Sequence, residues 1–218
     1  MGQGTRGRVQ ASKDTGEERY VGVPEEGGRN MISSDPLEPG SVYAASVDDE
    51  GMVGLYRLEV GCSGGTGKLR LAGGIDGVLK ESIQRAFGYL HANKVRLSIG
   101  QDFDTTDFHV EAIDLLQNRV SCECGVALIV AIISAIKRLP VQAALVILGD
   151  VSIQGNIKGV RTLVEPCQLA MENGARRALI PIENRRQFLE VSGDVAERLD
   201  PIFFGDAPVA ANKALGIT

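Results

Sequence analysis

Residues 122–137 read Cys122-Glu-Cys-Gly-Val-Ala-Leu-Ile-Val-Ala-Ile-Ile-Ser-Ala-Ile-Lys137. Placed on a helix, Val126, Leu128, Ile129, Val130, Ile132, Ile133 and Ile136 leave no polar face. A helix apolar all round has to be buried all round, so this segment is expected to be the central helix of a core. Its uncharged stretch Val126–Ile136 is about half the ~20 residues that a membrane span needs. Outward from it, Leu79, Ile83, Phe87 and Leu90 recur at helical spacing and predict an amphipathic helix over Val78–Ala92. Val42–Val47, Gly54–Val60, Lys68–Leu71, Val95–Ile99, Phe108–Ala112, Ala144–Leu148, Val151–Ile157, Arg177–Ile180 and Ile202–Phe204 have the character of strands. Thr162–Asn173, closed by Gly174 as its C′ residue, and Val209–Leu215 complete the helices. This mixture predicts one α/β domain, a mixed sheet packed with helices.

The 218 residues are 44 % apolar and 23 % charged, with a formal net charge of −5. That balance is globular, and a mild acidic excess argues against a domain that grips nucleic acid by itself. The first 20 residues have several charges and no apolar h-region, so no secretory signal is expected and the chain reads as cytoplasmic. Cys62, Cys122, Cys124 and Cys167 form no CxxC pair, and His91 and His109 are the two histidines, so reduced thiols are expected and no zinc site. Residues 1–19 are Gly-rich and polar and are expected to be a flexible arm or linker remnant, with the folded domain over 20–218.

Gly61-Cys-Ser-Gly-Gly-Thr-Gly67-Lys68 invites comparison with a phosphate-binding loop. Five residues separate the first Gly from Gly-Lys where four are needed, and Leu69 stands where the Mg²⁺-binding Ser or Thr belongs. Another pattern absorbs the same residues. Gly67-Lys-Leu-Arg-Leu-Ala-Gly73, followed by Lys80-Glu81-Ser82, resembles the start of the proteolytic domain of Lon-type ATP-dependent proteases. Further on, Asp107-Phe-His109, Gly149-Asp-Val-Ser-Ile-Gln-Gly155, Asn173-Gly174 and Ala178-Leu-Ile-Pro181 with Glu183-Asn184 are similar to that family's later motifs, in the same order. Within it, Thr15–Arg19, Val23–Glu25, Pro36–Tyr43, Gly54–Glu59 and Lys213–Gly216 resemble the Lon-like AAA+ proteins of bacterial BREX phage-exclusion systems.

The resemblance implies a Ser nucleophile and a Lys general base, the Lys kept neutral by burial. The family's Pro-Lys-Asp-Gly-Pro-Ser-Ala-Gly falls on Asn118–Gly125, which puts Glu123 at the nucleophile position and keeps only the final Gly. The spacing from Gly155 to Gly174 puts the base on Val164, with Glu165 as its acidic neighbour. Neither residue has the dyad's chemistry, and losing one member typically costs on the order of 10⁴–10⁶-fold in rate. The candidates for rescue are Ser121, with Cys122 and Cys124 nearby, and Lys158. Structural roles compete with these: Ser121 as N-cap of the central helix, Glu123 as a first-turn acid, and Thr162-Leu-Val-Glu165 as a capping box. His109 is expected to be partly buried and hydrogen-bonded. Lys80-Glu81-Ser82, Arg176-Arg177 and Arg185-Arg186 are expected to be solvated surface, with DNA contact by the Arg pairs as a lesser alternative.

The resemblance further implies self-association, of ring or hexamer type, and an AAA+ ATPase domain as partner. ATP and Mg²⁺ would belong to that ATPase, with no cofactor in this chain, and any DNA would be met by the whole assembly. The chain reads as the C-terminal portion of such a protein or a stand-alone relative. Two functions stand: an assembly module with a degenerate dyad, or an ATP-dependent serine endopeptidase with a rearranged site.

Overall fold

The apolar stretch folds as a helix over Gly125–Lys137, α3 below, in which every residue from Gly125 to Ser134 is buried. The computed structural model describes residues 30–73, 75 and 77–217; the arm expected over 1–19 and the start of the domain near Tyr20 lie outside them. Nine strands and the helices around them run in the order β1 (Ser41–Val47), β2 (Val53–Gly64), β3 (Leu69–Ala72), α1 (Gly77–Asn93), α2 (Gly100–Asp104), β4 (Thr106–Asp114) and α3. They continue with β5 (Leu145–Ile147), β6 (Asp150–Val151), β7 (Ile157–Lys158), α4 (Val164–Glu172), β8 (Arg177–Pro181), α5 (Arg185–Phe188), α6 (Gly193–Arg198), β9 (Asp200–Phe204) and α7 (Ala207–Leu215).

Seven strands form one mixed sheet in the order β3-β4-β2-β1-β5-β8-β9, and β6 with β7 make a separate hairpin. β1–β2 and β2–β4 are antiparallel, while β3–β4, β1–β5, β5–β8 and β8–β9 are parallel. Alternation along β1 sends Val42 and Ala44 into one core with α1, α3 and α7, and Tyr43 and Ala45 into a second core with α4 and α6. The α/β domain with a mixed sheet packed by helices is as the sequence implies. Ser134 Oγ, inside α3, donates to the Leu139 carbonyl at 2.6 Å and accepts the Gly40 amide at 2.9 Å, which ties the end of the helix to the start of β1.

Several elements differ from expectation. Val95–Ile99 is not a strand: its amides bond locally to Asn93, Lys94 and Val95 carbonyls, Ser98 sits at φ 57°, and Leu97 and Ile99 are buried through turns. Apolar alternation there serves a compact turn with no neighbouring strand to pair. Val151–Ile157 is a hairpin turn between two short strands and not one strand. Conversely the glycine stretch continues β2 to Gly64, because β4 offers it partners through Thr106. The turn after it is locked by Asp107, whose Oδ1 accepts the amides of Thr66 at 2.8 Å and Lys68 at 3.0 Å, with Arg70 at 3.4 Å from Oδ2.

The two edges of the sheet are unlike. In β9 the Asp200 amide donates to the Arg176 carbonyl at 2.9 Å, so the alternation of a parallel ladder turns Pro201 and Phe203 outward. Pro201 has no amide to offer, and Lys213 Nζ occupies the Phe203 carbonyl at 2.7 Å. This edge is obstructed for further strands at two of its outward positions.

Two outcomes are expected. Ile132→Ala, at the middle of α3, lowers the unfolding free energy by about 2–5 kcal/mol in urea titration. The backbone amides of Thr66 and Lys68 and the Arg70 charge hold the Asp107 carboxyl below its ordinary value. Its contribution is therefore full above the unfolded carboxylate pKa of about 3.9 and is lost as pH falls through the folded value. The Tm gap between the protein and Asp107→Asn should be open at pH 7 and close on acidification below about pH 4.

Candidate functional site

A buried helix cannot send its first amides to water, and α3 has no side-chain cap of its own: Cys124 stands at the N-cap position with no such bond. Ser121 lies too far upstream, so the expectation that it caps the helix is corrected. Distant side chains do the work. Asp150 is 2 % exposed, and its Oδ1 accepts the Gly125 amide at 3.1 Å and the Ser82 hydroxyl at 2.8 Å. Ser82 Oγ in turn accepts the Cys124 amide at 3.0 Å, and Ser46 Oγ accepts that of Glu123 at 3.3 Å. Ser82, read as solvated, is therefore buried, at the heart of this network.

Only glycine fits at 125, because a Cβ there would lie 2.3 Å from Asp150 Oδ1. Asp150 itself is delivered by the β6–β7 hairpin, entered through Gly149 at φ +100°, whose missing side chain leaves room for Pro181.

The second Asp150 oxygen meets cations. Arg85 Nη2 lies 2.6 Å from Oδ2 and Lys158 Nζ 3.7 Å from it. Arg85 also reaches Glu123 at 3.3 Å and Glu81 at 3.9 Å. Burial lowers the basicity of Arg85, but the Asp150 hydrogen bond and the charges of Asp150, Glu123 and Glu81 outweigh it and raise its pKa. Arg85 is thus a bridge between a buried carboxylate and two exposed ones.

Above this bridge opens a groove of about 480 Å³, lined by Ser46, Glu81, Arg85, Ser121, Glu123 and Asp150, with the turn Asp48–Glu50 and Arg161 at its lip. Arg161 pairs there with Asp49 at 2.6 Å. Glu123 and Ser121 share the groove. Val164 does not line it and packs instead beside the second core. Lys158 is 45 % exposed at its side chain and turned to Asp150, and no hydrogen bond joins it to Ser121 among the described residues. Cys122 and Cys124 are buried in the first core, away from solvent.

The remaining site readings resolve simply. The Thr162–Glu165 capping box does not form: α4 starts at Val164 with Leu163 at its N-cap position and no side-chain cap. His109 is exposed, not partly buried, and its Nε2 lies 3.0 Å from Ser63 Oγ on the open face of β2 and β4. Arg176, Arg185 and Arg186 are exposed, and Arg177 is half-buried with Nη1 on the Ala143 carbonyl at 3.4 Å. Burial pushes the Cys167 thiol up to about 12 and raises that of Cys62. Among the described residues no group of three or more His, Cys, Asp or Glu could hold a metal ion, and no helix is long and apolar enough to cross a membrane.

With this α/β sheet, hairpin and groove in view, the class of the domain follows from its sequence: residues 43–215 match the Lon protease (S16) C-terminal proteolytic domain. The chain belongs to that family. It is 32 % identical over 205 residues, 94 % of its length, to the Lon-like protease BrxL of Escherichia coli O9:H4 (strain HS). It is 31 % identical over 201 residues, 92 % of its length, to the Lon-like protease BrxL of Bacillus cereus (strain H3081.97). To the Lon protease of Escherichia coli (strain K12) it is 31 % identical over 147 residues, 67 % of its length. The chain spans 30 % of the length of these two BrxL proteins and 19 % of that Lon protease.

Breaking the buried charge network is expected to be costly. Asp150→Ala leaves the Gly125 amide and the Ser82 hydroxyl without their buried acceptor and should lower the unfolding free energy by about 1–3 kcal/mol for each group left unpaired, in urea titration. Glu123→Gln, at a half-exposed pair, should change it by less than about 1 kcal/mol.

Proposed function

We propose that this chain is the Lon-type domain of a larger ATP-dependent protein of the phage-exclusion kind, kept as an assembly module without a working Ser-Lys dyad. The observation that carries the reading is Glu123. It stands where the resemblance to the family's motif implies the nucleophile, and its carboxylate is engaged by Arg85 at 3.3 Å. A carboxylate held by a guanidinium has no hydroxyl proton to give up and cannot attack a peptide as an alkoxide does. Val164, at the expected base position, has no proton to exchange. Function follows the site and not the fold, and a domain without the dyad keeps, in this reading, the role of holding and orienting neighbours.

In this reading the domain proper covers residues 20–218, preceded by an arm over 1–19. Its partners are further copies of itself in a ring, probed as a hexamer, and an AAA+ ATPase domain that binds ATP and Mg²⁺. The assembly works in the cytoplasm, with DNA as a target of the whole. Ser121 with Lys158 is the competing active site, and Ser121 does line the groove. Its weakness is Lys158, which is half-exposed and turned to Asp150, whereas a lysine general base needs burial and reach to the hydroxyl.

The test is turnover of fluorogenic peptides and casein by the purified chain, alone and fused to the ATPase domain of a BrxL relative, with Ser121→Ala beside it. The expected result is ATP-dependent rings and no turnover above buffer. Turnover abolished by Ser121→Ala, or covalent labelling of Ser121 by a fluorophosphonate, would overturn the proposal.

A further inference from the structure

The edge of the sheet opposite β9 has none of its protection. The Phe108 amide of β4 donates to the Lys68 carbonyl at 2.7 Å, and the register pairs Leu69 with Phe108, Arg70 with His109 and Leu71 with Val110. The alternation of a parallel ladder therefore turns the peptide groups of Arg70 towards β4 and those of Leu69 and Leu71 away from it. Two amides and two carbonyls face outward in a row. Among the described residues no hydrogen bond reaches them. β3 has no proline, and among the described residues its outward carbonyls have no counterpart of Lys213.

The side chains flanking this edge differ on its two faces. Leu69, Leu71, Ile75 and Phe87 are partly buried against the first core and form an apolar ledge on one face. On the other face Lys68 and Arg70 are exposed. Arg70, 58 % exposed, leans to Asp107 at 3.4 Å, and Lys68 keeps its ammonium in water. A strand laid along β3 would set its own side chains alternately against these two faces, at the ~5 Å spacing of cross-strand neighbours.

We propose that β3 is a docking edge, which takes an extended segment of a partner protein as an eighth strand of the sheet. The segment alternates acidic residues, facing Lys68 and Arg70, with aliphatic ones, lying on Leu69 and Leu71. Strand addition draws its affinity from main-chain bonds and its selectivity from alternate side chains, and both sets of groups are in place here. A second copy of β3 is a poorer occupant, because it would bring Lys68 and Arg70 of each chain together across the new pair.

The probe is a fluorescein-labelled hexapeptide alternating glutamate and valine, titrated with the full chain by fluorescence anisotropy. A lysine–valine hexapeptide serves as control. Saturable binding of the acidic probe is expected, weakened about tenfold or more when the amides that face β3 are N-methylated. Methylation of the alternate set should leave it unchanged. Leu71→Pro removes one outward amide without touching the ladder to β4 and should weaken binding to a similar degree, while Lys68→Glu should shift preference towards the lysine probe. No saturable binding below about 1 mM, equal binding of both probes, or indifference to which amides are methylated would overturn the proposal. The methylated peptides decide the matter even where Leu71→Pro fails to fold.

Discussion

Asp150 satisfies the head of a helix that cannot satisfy itself. Because α3 is apolar on all sides, its entry lies inside the protein, and its first amides must find acceptors there. A carboxylate is a strong acceptor, with hydrogen bonds to charged groups contributing about 1.5–3 kcal/mol each. Burying it costs several kcal/mol unless a cation accompanies it. The consequences run outward in order. Gly125 has to be glycine so that Oδ1 can approach, Ser82 has to face inward to bridge Asp150 and Cys124, and Arg85 has to sit one turn of α1 later to neutralise Oδ2. The hairpin of β6 and β7 holds the carboxylate at this point.

That arrangement separates the side chains of the groove from the bonds that hold α3. The structural duties belong to Asp150, Ser82 and Gly125, all three buried, with Asp150 at the floor of the groove. Glu123 and Ser121 sit above it, exposed or half-buried, and Val164 belongs to the second core. Side chains at these three positions can thus change without removing a bond on which the start of α3 depends.

The central helix, the long first helix and most strands were legible in the sequence because each writes its burial as a local period. Gly174 announced the end of α4, and the structure has it at φ +106°. The start of α3 was not legible in the same way. Its acceptors lie 42 residues upstream at Ser82 and 25 downstream at Asp150, so local reading settled on Ser121, the nearest hydroxyl. Likewise Val95–Ile99 alternates as a strand does, but its partners are its own neighbouring carbonyls. At the site, the sequence pointed to Glu123 and missed Arg85. The available signal was the pair Glu81 and Arg85 four residues apart on α1, one turn from a serine in a helix that must pack against α3.

The closure of β9 by Pro201 and Lys213 has a consequence for growth. Sheets that polymerise edge to edge need two adhesive rims, so that each added unit exposes a fresh one. Here one rim is obstructed by the chain itself, through the missing amide of Pro201 and the Lys213 ammonium on the Phe203 carbonyl. A copy pairing through β3 would meet no equally open rim on the next copy, so the asymmetry of the two rims works against growth of the sheet into a fibre.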